Sequence, residues 1–380
     1  MALKEKYMEI AEKEVFQEIA DSPTMKYYTN WKEFQKRLVA QDSRVYMELP
    51  DWVEKLSDKV VVLSDEVLVR GVPRDYIEVH DDSYDVLKDI KVTGKMEYYN
   101  AARLTRAVTI RIPREASLDG LVLVSLGGDG YTGHHIHIEL EPFASAEVIL
   151  VDLGGVGDSS IKTLTIAVDM DSDSRLKFYS ISLHEEAAVY SRRVYRLSAR
   201  SRLELNTFYS SGPATRINED VYLNGEYSEI EVNSSSLAGR NKWGDVLLNV
   251  RHRGERSKSY INGRGVVLED GILTIRGIAI VEKSAEWSSS HVEVHVSAFG
   301  EQAKGNASPM LEIHTGNVEE AFHSASVSSL SEDELFYLGT RGLSKDEARE
   351  LLVEGILHFS GVLERLGLSI ETVLRGLNHE

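Results

Sequence analysis

The chain has 380 residues, which is long enough for two or three domains. Its residues are 42% hydrophobic and 27% charged, proportions that are typical of a soluble globular protein. Its net charge of −18 argues against nucleic acid and anionic membranes as partners, because both bind basic protein surfaces. The absence of cysteine excludes disulfide bonds and any thiolate of this chain as a metal ligand or sulfur carrier.

The first twenty residues carry charges every few positions and contain no continuous apolar segment, so a secretory signal is not predicted. No part of the sequence approaches the ~18 consecutive apolar residues that a membrane-spanning helix requires. We therefore expect a cytoplasmic protein without a membrane partner.

Helical signals dominate the beginning of the chain. Apolar residues at helical spacing predict a helix over residues 3–20, which Asp21-Ser22-Pro23 would end. Asn30 is the predicted N-cap of a second helix, and a third begins in the segment Leu49 to Trp52. The alternating, valine-rich segment VVVLSDEVLVRGV that follows indicates strands.

The middle of the sequence reads as a succession of short strands that recur with one period. One series of alternating segments opens at Val148, Leu176, Leu203 and Ile230, at spacings of 28, 27 and 27 residues. A second series passes through Ile166, Val194, Val221, Leu248 and Ile275, at spacings of 28, 27, 27 and 27 residues. A period of this length is typical of a solenoid, in which each turn lays a strand beside the previous one.

A β-sandwich also has regularly spaced strands and turns, but its hairpin turns do not explain a period of 27 residues. We predict a mainly β protein with a parallel β-helix core over residues 101–330. A mostly helical N-terminal domain (1–100) and a helical C-terminal domain (331–380) flank this core. Because the open ends of a solenoid expose strand edges, we expect the terminal helices to cap them.

Two capping boxes mark helices in the C-terminal region, Ser331 to Glu334 and Ser344 to Glu347. The second helix places an apolar stripe on one face, formed by Leu351, Leu352, Gly355, Ile356, Phe359 and Leu363. Such a stripe packs against a core or serves as a docking face for a partner.

Two histidine-rich strands are candidates for metal binding, since imidazole and carboxylate groups ligate zinc and iron. The candidate ligands are His291, Glu293 and His295 in HVEVHV, and His134, His135 and His137 in GHHIHIEL. Ligands two residues apart on one flat strand rarely converge on a metal by themselves. We therefore interpret both segments as solvent-exposed faces of ordinary strands.

A third candidate group lies near the end of the strand region. Glu312 and His314 share a face in LEIHTG, and His323 follows nine residues later, about one solenoid corner away. Together they offer nitrogen and oxygen ligands, although an outer strand face would contain the same residues. No phosphate-binding loop, nucleophile elbow or catalytic triad pattern occurs, so we predict no catalytic residues.

Three motifs between Ser308 and Leu343 resemble the SufB/SufD family, the β-helical subunits of the Suf iron–sulfur cluster assembly complex. They are P-x-L-E-I, H-x-A and L-F-Y-L-x-x-R-G-L, which begin at Pro309, His323 and Leu335. Their order and spacing are similar to those of the family. One departure is Ala321, at a position where SufD relatives often carry a cysteine.

The resemblance implies a right-handed β-helix that pairs with a SufB-like subunit and a C-terminal helical region that binds a SufC-type ABC ATPase. It also implies that His323 lies at the interface where the cluster is built. We assign Glu312 and His314 to the same interface, with His323 as the one predicted metal ligand. The positions that match the ATPase-binding region are Phe336, Tyr337, Arg341, Gly342 and Ala348.

We predict a SufD-like, non-enzymatic scaffold, because a SufB subunit needs a cysteine to receive sulfur and this chain has none. No tightly bound cofactor is expected. Iron or an iron–sulfur cluster would be held transiently, with cysteine ligands from a partner. Two alternatives remain open: a β-helix enzyme that acts on polysaccharides, and a homodimeric scaffold of a minimal system without SufB.

Overall fold

The computed structural model describes residues 3–16, 28–43, 45, 49–92, 94–329 and 332–369. The helices in these ranges are α1 (Leu3–Lys13), α2 (Trp31–Arg37), α3 (Asp51–Glu54), α4 (Lys95–Ala102), α5 (Glu332–Thr340), α6 (Lys345–Leu357) and α7 (Val362–Leu366). The strands are β1 (Val60–Leu63), β2 (Val67–Arg70), β3 (Ile77–His80), β4 (Arg106–Ile112), β5 (Ser117–Leu126), β6 (Tyr131–Leu140), β7 (Ser145–Leu153), β8 (Ile161–Met170), β9 (Arg175–Leu183), β10 (Ala188–Leu197), β11 (Arg202–Ser210), β12 (Ala214–Leu223), β13 (Glu229–Ala238), β14 (Trp243–His252), β15 (Lys258–Leu268), β16 (Ile272–Val281), β17 (Ser288–Phe299), β18 (Lys304–Ile313) and β19 (Val318–Ser329).

The strands form two sheets that enclose a common core. Sheet A has the order β18-β16-β14-β12-β10-β8-β6-β4-β3, and sheet B has the order β19-β17-β15-β13-β11-β9-β7-β5-β1-β2. From β4 to β19 the chain alternates between the sheets, and each strand from β6 onward pairs in parallel with the strand two positions earlier. The chain is therefore mainly β and forms a solenoid of about eight turns, which confirms the predicted mainly β solenoid, whereas its right-handedness stays a prediction.

The core consists of side chains that lie in columns between the two sheets. In a parallel sheet, residues in register point to the same side, so stacked apolar residues bury one another. One column in sheet B contains Leu121, Val148, Phe178, Leu205, Val232, Ile261 and Val292, which are all buried. Full burial of one such side chain contributes roughly 1.5–3 kcal/mol.

The observed register corrects the uniform period that the sequence suggested. Leu176, Leu203 and Ile230 stack as predicted, 27 residues apart, but Val148 pairs with Phe178 and not with Leu176. Other turns differ in length because their corners differ: Ala188 pairs with Ala214, whereas Ile272 pairs with Lys304.

Val194 illustrates how a shift of one residue in the strand register changes the face on which a side chain lies. The predicted series aligned Val194 with Ile166, but Val194 pairs with Ala167. A shift of one residue moves a side chain to the opposite face of a sheet. Val194 therefore packs outside the solenoid with Ala167 and Ile90, whereas Ile166 lies in the core.

Seven corners at one edge of the solenoid place a residue other than glycine in the left-handed region: Glu115, Phe143, Asp173, Arg200, Tyr227, Arg256 and Trp287. The backbone N–H of each of these seven residues donates to a carbonyl of the following turn, for example from Asp173 to Ala199 at 2.9 Å. These hydrogen bonds offset the cost of a positive φ for L-residues and continue the stacking of the sheets through the corners.

The terminal helices cover the outer faces of the two sheets, so the expectation that they cap the solenoid ends is wrong. On sheet A, α2 contacts β10 and β12, and α4 contacts β6 and β8. On sheet B, α6 contacts β13 and β15, and α7 contacts β9 and β11. The reason is that the valine- and leucine-rich strands are apolar on both faces, so the outer faces also need to be buried.

The N-terminal region contributes strands as well as helices. β1 and β2 form the hairpin that VVVLSDEVLVRGV indicated, and β1 pairs in parallel with β5. β3 pairs antiparallel with β4. Short antiparallel strands thus form the N-terminal edges of both sheets. The three domain ranges remain predictions.

Local signals for helix ends are confirmed where the structure describes them. Asn30 caps α2 by accepting a hydrogen bond from the backbone N–H of Glu33, and Ser344 forms a capping box with Glu347 at α6. The helix predicted over residues 3–20 ends at Lys13. Its predicted stop at residues 21–23 and the capping box at Ser331 lie outside the described residues. None of the described helices is long and apolar enough to cross a membrane.

His252, at the end of β14, is buried in the solenoid between two serine hydroxyls. Its Nδ1 lies 2.8 Å from Ser257 Oγ, and its Nε2 lies 2.8 Å from Ser259 Oγ. Burial lowers the pKa of His252 to about 4, because the imidazolium would lose its hydration. The imidazole is therefore neutral in the folded chain near neutral pH.

We predict that this histidine makes folding pH-dependent between about 6.5, its ordinary pKa, and about 4. In this window the unfolded chain binds a proton at His252 that the folded chain does not. The contribution of the neutral histidine to the free energy of unfolding is therefore fully present above pH 6.5 and is lost as the pH falls. The total loss is roughly 3 kcal/mol. Urea unfolding across the window should show a shallower pH dependence for His252→Gln, and equal slopes would contradict the assignment.

Candidate functional site at the open end of the solenoid

The two ends of the solenoid differ in the strands that form their edges: among the described residues, the short antiparallel strands β2 and β3 form the N-terminal edges, whereas two long parallel strands, β18 and β19, form the C-terminal edges. Among the described residues, β19 pairs only with β17, and β18 pairs only with β16. Side chains that would face a further turn are exposed, including Val327, at 55%, and Ile313. An unpaired edge with exposed apolar side chains is a template for strand pairing with another chain.

His323 lies on this open end and faces the inside of the solenoid. Its register partner on β17 is Val292, which is fully buried in the core. His323 therefore ends the column of seven apolar residues described above, and it is the one member of the column that has a polar side chain. Because no strand of the described residues follows β19 in the sheet, this imidazole is exposed.

The structure does not bring Glu312 and His314 to His323. Glu312 is in register with Ile280 on the outer side of sheet A, and it pairs with His314, at 3.5 Å. His323 belongs to sheet B and points inward. No group of three or more histidine, aspartate or glutamate side chains in the described residues is arranged to hold a metal. The predicted interface residues thus share the solenoid end but not one ligand set.

The HVEVHV segment forms the amphipathic strand that was expected. Its three valines are buried in the core, and its polar residues lie on the outer face of β17. His291 pairs with Glu320 at 3.2 Å, and His295 bonds Ser326 Oγ through Nδ1 at 2.7 Å. His291 also lies between the rings of Tyr260 and Phe322. These contacts join β17 to its neighbours.

The expectation that GHHIHIEL is solvent-exposed is wrong. His134, His135 and His137 on β6 are all buried. His134 faces the solenoid interior, where its Nδ1 lies 2.9 Å from Ser125 Oγ, whereas the N-terminal region covers His135 and His137 on the outer face of sheet A. His135 Nε2 and His137 Nε2 each lie 2.8 Å from a carboxylate, that of Asp89 and that of Asp169 respectively. Burial lowers the pKa of His137, but these carboxylates outweigh burial and raise it. His135 and His137 attach the N-terminal region to the solenoid through Asp89.

The positions that match the ATPase-binding motif lie on α5 and α6. Phe336 and Tyr337 on α5 are 74% and 57% exposed, which is unusual for aromatic side chains. Arg341 bonds the Tyr337 hydroxyl at 3.2 Å. Gly342 ends this segment with φ = +95°, a conformation that favours glycine. Ala348 is buried in α6, so it supports the helix and does not present a contact surface.

The predicted apolar stripe is confirmed in part, because Leu352 and Ile356 of α6 are half-buried and pack against the apolar cluster on sheet B. Val353 and Leu357 are buried against sheet B, and Leu363 of α7 joins them as predicted. Leu351 and Gly355 are exposed. Because sheet B provides the apolar surface on which the stripe packs, most of it is core and not a docking face.

Sequence reasoning missed a charged network inside the solenoid. Lys162 Nζ donates to Asp152 Oδ1 at 2.6 Å and to the carbonyls of Ser125 and Leu153 at 2.6 and 2.8 Å. Asp152 also contacts His184 at 3.1 Å. Burial would raise the pKa of Asp152, but the cationic side chains around it outweigh burial and lower the pKa.

The same network continues through the next turns. Arg193 contacts Glu219 at 3.1 Å, and the Tyr209 hydroxyl donates to the same carboxylate. Burial raises the pKa of Glu219, and the positive charge of Arg193 offsets this rise only in part. The sequence did contain a signal for these positions: Lys162 has the same alternation phase as Leu164 and Ile166, which lie in the core.

Comparisons with known proteins agree with the motifs. The family model described as "SUF system FeS cluster assembly, SufBD core domain" matches residues 124–356, from β5 into α6. An iron–sulfur cluster assembly SufBD family protein of Mycobacterium bovis is 31% identical over 137 residues, 36% of this chain. The match covers only 16% of the length of that relative.

Two proteins of Bacillus subtilis show different extents of similarity. SufB is 31% identical over 135 residues, which are 36% of this chain and 29% of SufB. SufD is 24% identical over 324 residues, which are 80% of this chain and 70% of SufD. Similarity to SufD therefore extends over most of both chains, whereas similarity to SufB is confined to about a third of this one.

We predict that removing one charge from the interior network destabilises the fold strongly. Lys162→Met removes the cation that pairs with the buried Asp152 carboxylate and that donates to two interior carbonyls, and this should cost about 3–5 kcal/mol. Arg200→Met is the matched control, since it breaks an exposed arginine–aspartate pair with Asp173. Urea unfolding should show a much smaller loss for the control. Equal losses in the free energy of unfolding would show that the buried ion pair contributes no more to stability than the exposed one.

Proposed function

Because this chain belongs to the SufB/SufD family of iron–sulfur cluster assembly proteins, we propose that it is a SufD-like scaffold subunit and not itself an enzyme. It works in the cytoplasm as a heteromer with a cysteine-bearing SufB-like subunit and a SufC-type ABC ATPase. The extended similarity to SufD and the absence of cysteine support the SufD-like role. The solenoid is right-handed in this proposal, as in the family.

The observation that carries the proposal is the open end formed by β18 and β19. Two free strand edges and exposed apolar side chains such as Val327 give a partner solenoid both hydrogen bonds and a surface to bury. A SufB-like subunit docked here would cover His323. The interface between the two solenoids is then the place where a cluster forms.

The cluster is the cargo of this assembly, and this chain supplies few of its ligands. Iron–sulfur clusters are held mainly by cysteine thiolates, and the chain has none. The exposed imidazole of His323 offers one nitrogen ligand at the solenoid end. The SufB-like subunit therefore provides the thiolates, and iron or a cluster stays only transiently at the shared interface.

The C-terminal helices connect the ATPase to this interface. Phe336 and Tyr337 form an exposed aromatic pair suited to anchoring a partner. From α6, Arg349 Nη2 donates to the carbonyl of Phe299 at the end of β17, at 2.7 Å. β17 is the only strand that pairs with β19 in the described residues. Movement of α5 and α6 on nucleotide binding would thus act on the last turn of the solenoid.

The alternative of a polysaccharide enzyme is not favoured, because the family model and the three motifs both indicate the SufB/SufD family. The motifs lie within residues 124–356, which the model matches. The homodimer differs from the heteromer only in which chain pairs with the open end. Co-expression of the tagged chain with SufB-like and SufC-type proteins of its own organism separates these readings. Recovery of both partners supports the heteromer, whereas recovery of a dimer of this chain alone contradicts it.

We predict that His323→Ala leaves the heteromer assembled but lowers the yield of cluster. The substitution removes one imidazole from an exposed position and therefore does not disturb the core. The measurement is the visible absorption of a cluster in the purified complex, per mole of complex. His314→Ala is the matched control, because this exposed histidine lies on the outer side of sheet A. An equal cluster yield in both variants would exclude His323 as a ligand.

We predict that the double substitution Phe336→Ala and Tyr337→Ala abolishes co-purification of the ATPase while the SufB-like subunit is retained. Truncating two exposed anchoring aromatics removes the residue types that dominate interface energies. Tyr227→Ala is the control, since this tyrosine is equally exposed but lies at a solenoid corner. Unchanged recovery of the ATPase would place its docking site elsewhere.

A further inference from the structure

A basic pocket of about 370 Å³ lies on the outer face of sheet A, away from the family motifs. Its charged and aromatic lining residues are Lys91, Arg192, Arg196, Tyr222, Arg251 and Arg253. None of the residues that line it is acidic. Five cations around one small cavity are unexpected in a chain with a net charge of −18.

Two of the arginines are held by carboxylates and attach the N-terminal region. Arg192 is buried at the base of the pocket and contacts Glu97 and Asp220 at 2.9 and 3.0 Å. Arg196 contacts Asp169 at 2.9 Å. The charges of these two guanidinium groups are therefore compensated within the protein.

The remaining cations are not compensated to the same degree. Arg251 and Arg253 share a single carboxylate, that of Glu282, at 3.0 and 3.2 Å. The other contacts of Arg253 are neutral: the amide oxygen of Asn224 and the ring of Tyr222. Among the described residues, no carboxylate lies within ion-pair distance of Lys91 Nζ. Three cations at the pocket mouth thus face one carboxylate.

The strand register places the charged groups around the cavity. Arg196, Tyr222 and Arg251 are in register on β10, β12 and β14, so they form one row on the outer face of sheet A. Arg253 follows β14, and its guanidinium lies 4.8 Å from the ring centre of Tyr222. The side chains of Arg251 and Arg253 are 35% and 43% exposed, so a ligand from solvent can reach both.

We propose that this pocket binds an oxyanion of the phosphate class. Guanidinium groups match the oxygens of phosphate in fork geometry, and the ammonium of Lys91 adds a point charge. The volume lies near the lower end of the ~300–1,000 Å³ typical of small-molecule sites. The oxyanion is either free phosphate or the phosphate group of a nucleotide. This inference does not depend on the proposed role in cluster assembly.

Isothermal titration calorimetry of the 380-residue chain with inorganic phosphate tests the proposal, with chloride at the same ionic strength as the reference. We expect one phosphate per chain, and binding that is at least about tenfold weaker in the double variant Arg251→Gln and Arg253→Gln. Arg200→Gln, an exposed arginine at a solenoid corner, is the matched control and should bind phosphate as the natural chain does.

A parallel titration with AMP identifies the source of the oxyanion. Tighter binding of AMP, with competition by phosphate, assigns the pocket to a nucleotide, whereas binding of phosphate alone assigns it to the free ion. Lys91→Gln provides a second variant if the double variant is unfolded by circular dichroism, since Lys91 is exposed. Phosphate binding that is no stronger than that of chloride, or equal in the natural chain and the folded variants, would overturn the proposal.

Discussion

Hydrogen bonding between successive turns is the interaction on which the rest of this structure depends. Each strand from β6 to β19 bonds the strand two positions earlier, so the fold grows by adding turns and never closes on itself. Such a fold must end in free edges unless another element pairs with them. At the N-terminal end β1 and β3 pair with the first strands of the solenoid, so the short antiparallel strands β2 and β3 form the edges there, whereas at the C-terminal end none of the described residues adds such a strand to β18 or β19. The last turn is therefore a natural place for a second chain.

The helices do not solve the edge problem because they are needed elsewhere. Strands that are apolar on both faces must be covered on the outside as well as packed inside. From the N-terminal region α2 and α4 cover sheet A, and α6 and α7 cover sheet B. This arrangement leaves α5 and the end of the solenoid as the exposed C-terminal surfaces. It also brings α6 into contact with β17, the strand that pairs with β19, which carries His323.

Alternation and capping patterns were sufficient to predict much of this architecture. A capping box depends on residues three positions apart, so Ser344 and Glu347 could be recognised without tertiary information. The strand region and its approximate period were also readable, because alternation is local. The exact register was not, since corners of different length shift the pairing, and a shift of one residue moved Val194 out of the core.

The sequence by itself determined the β-solenoid, the helical ends and the family motifs around His323, because these depend on local periodicity and on residue types at short spacings. Only the tertiary structure decided which polar residues are buried. His135 is covered by a segment about 45 residues earlier in the chain, and Lys162 meets Asp152 across the interior. Likewise, the cations of the basic pocket come from separate turns and from the N-terminal region. Burial and charge pairing are set by contacts between distant segments, and a one-dimensional pattern does not contain them.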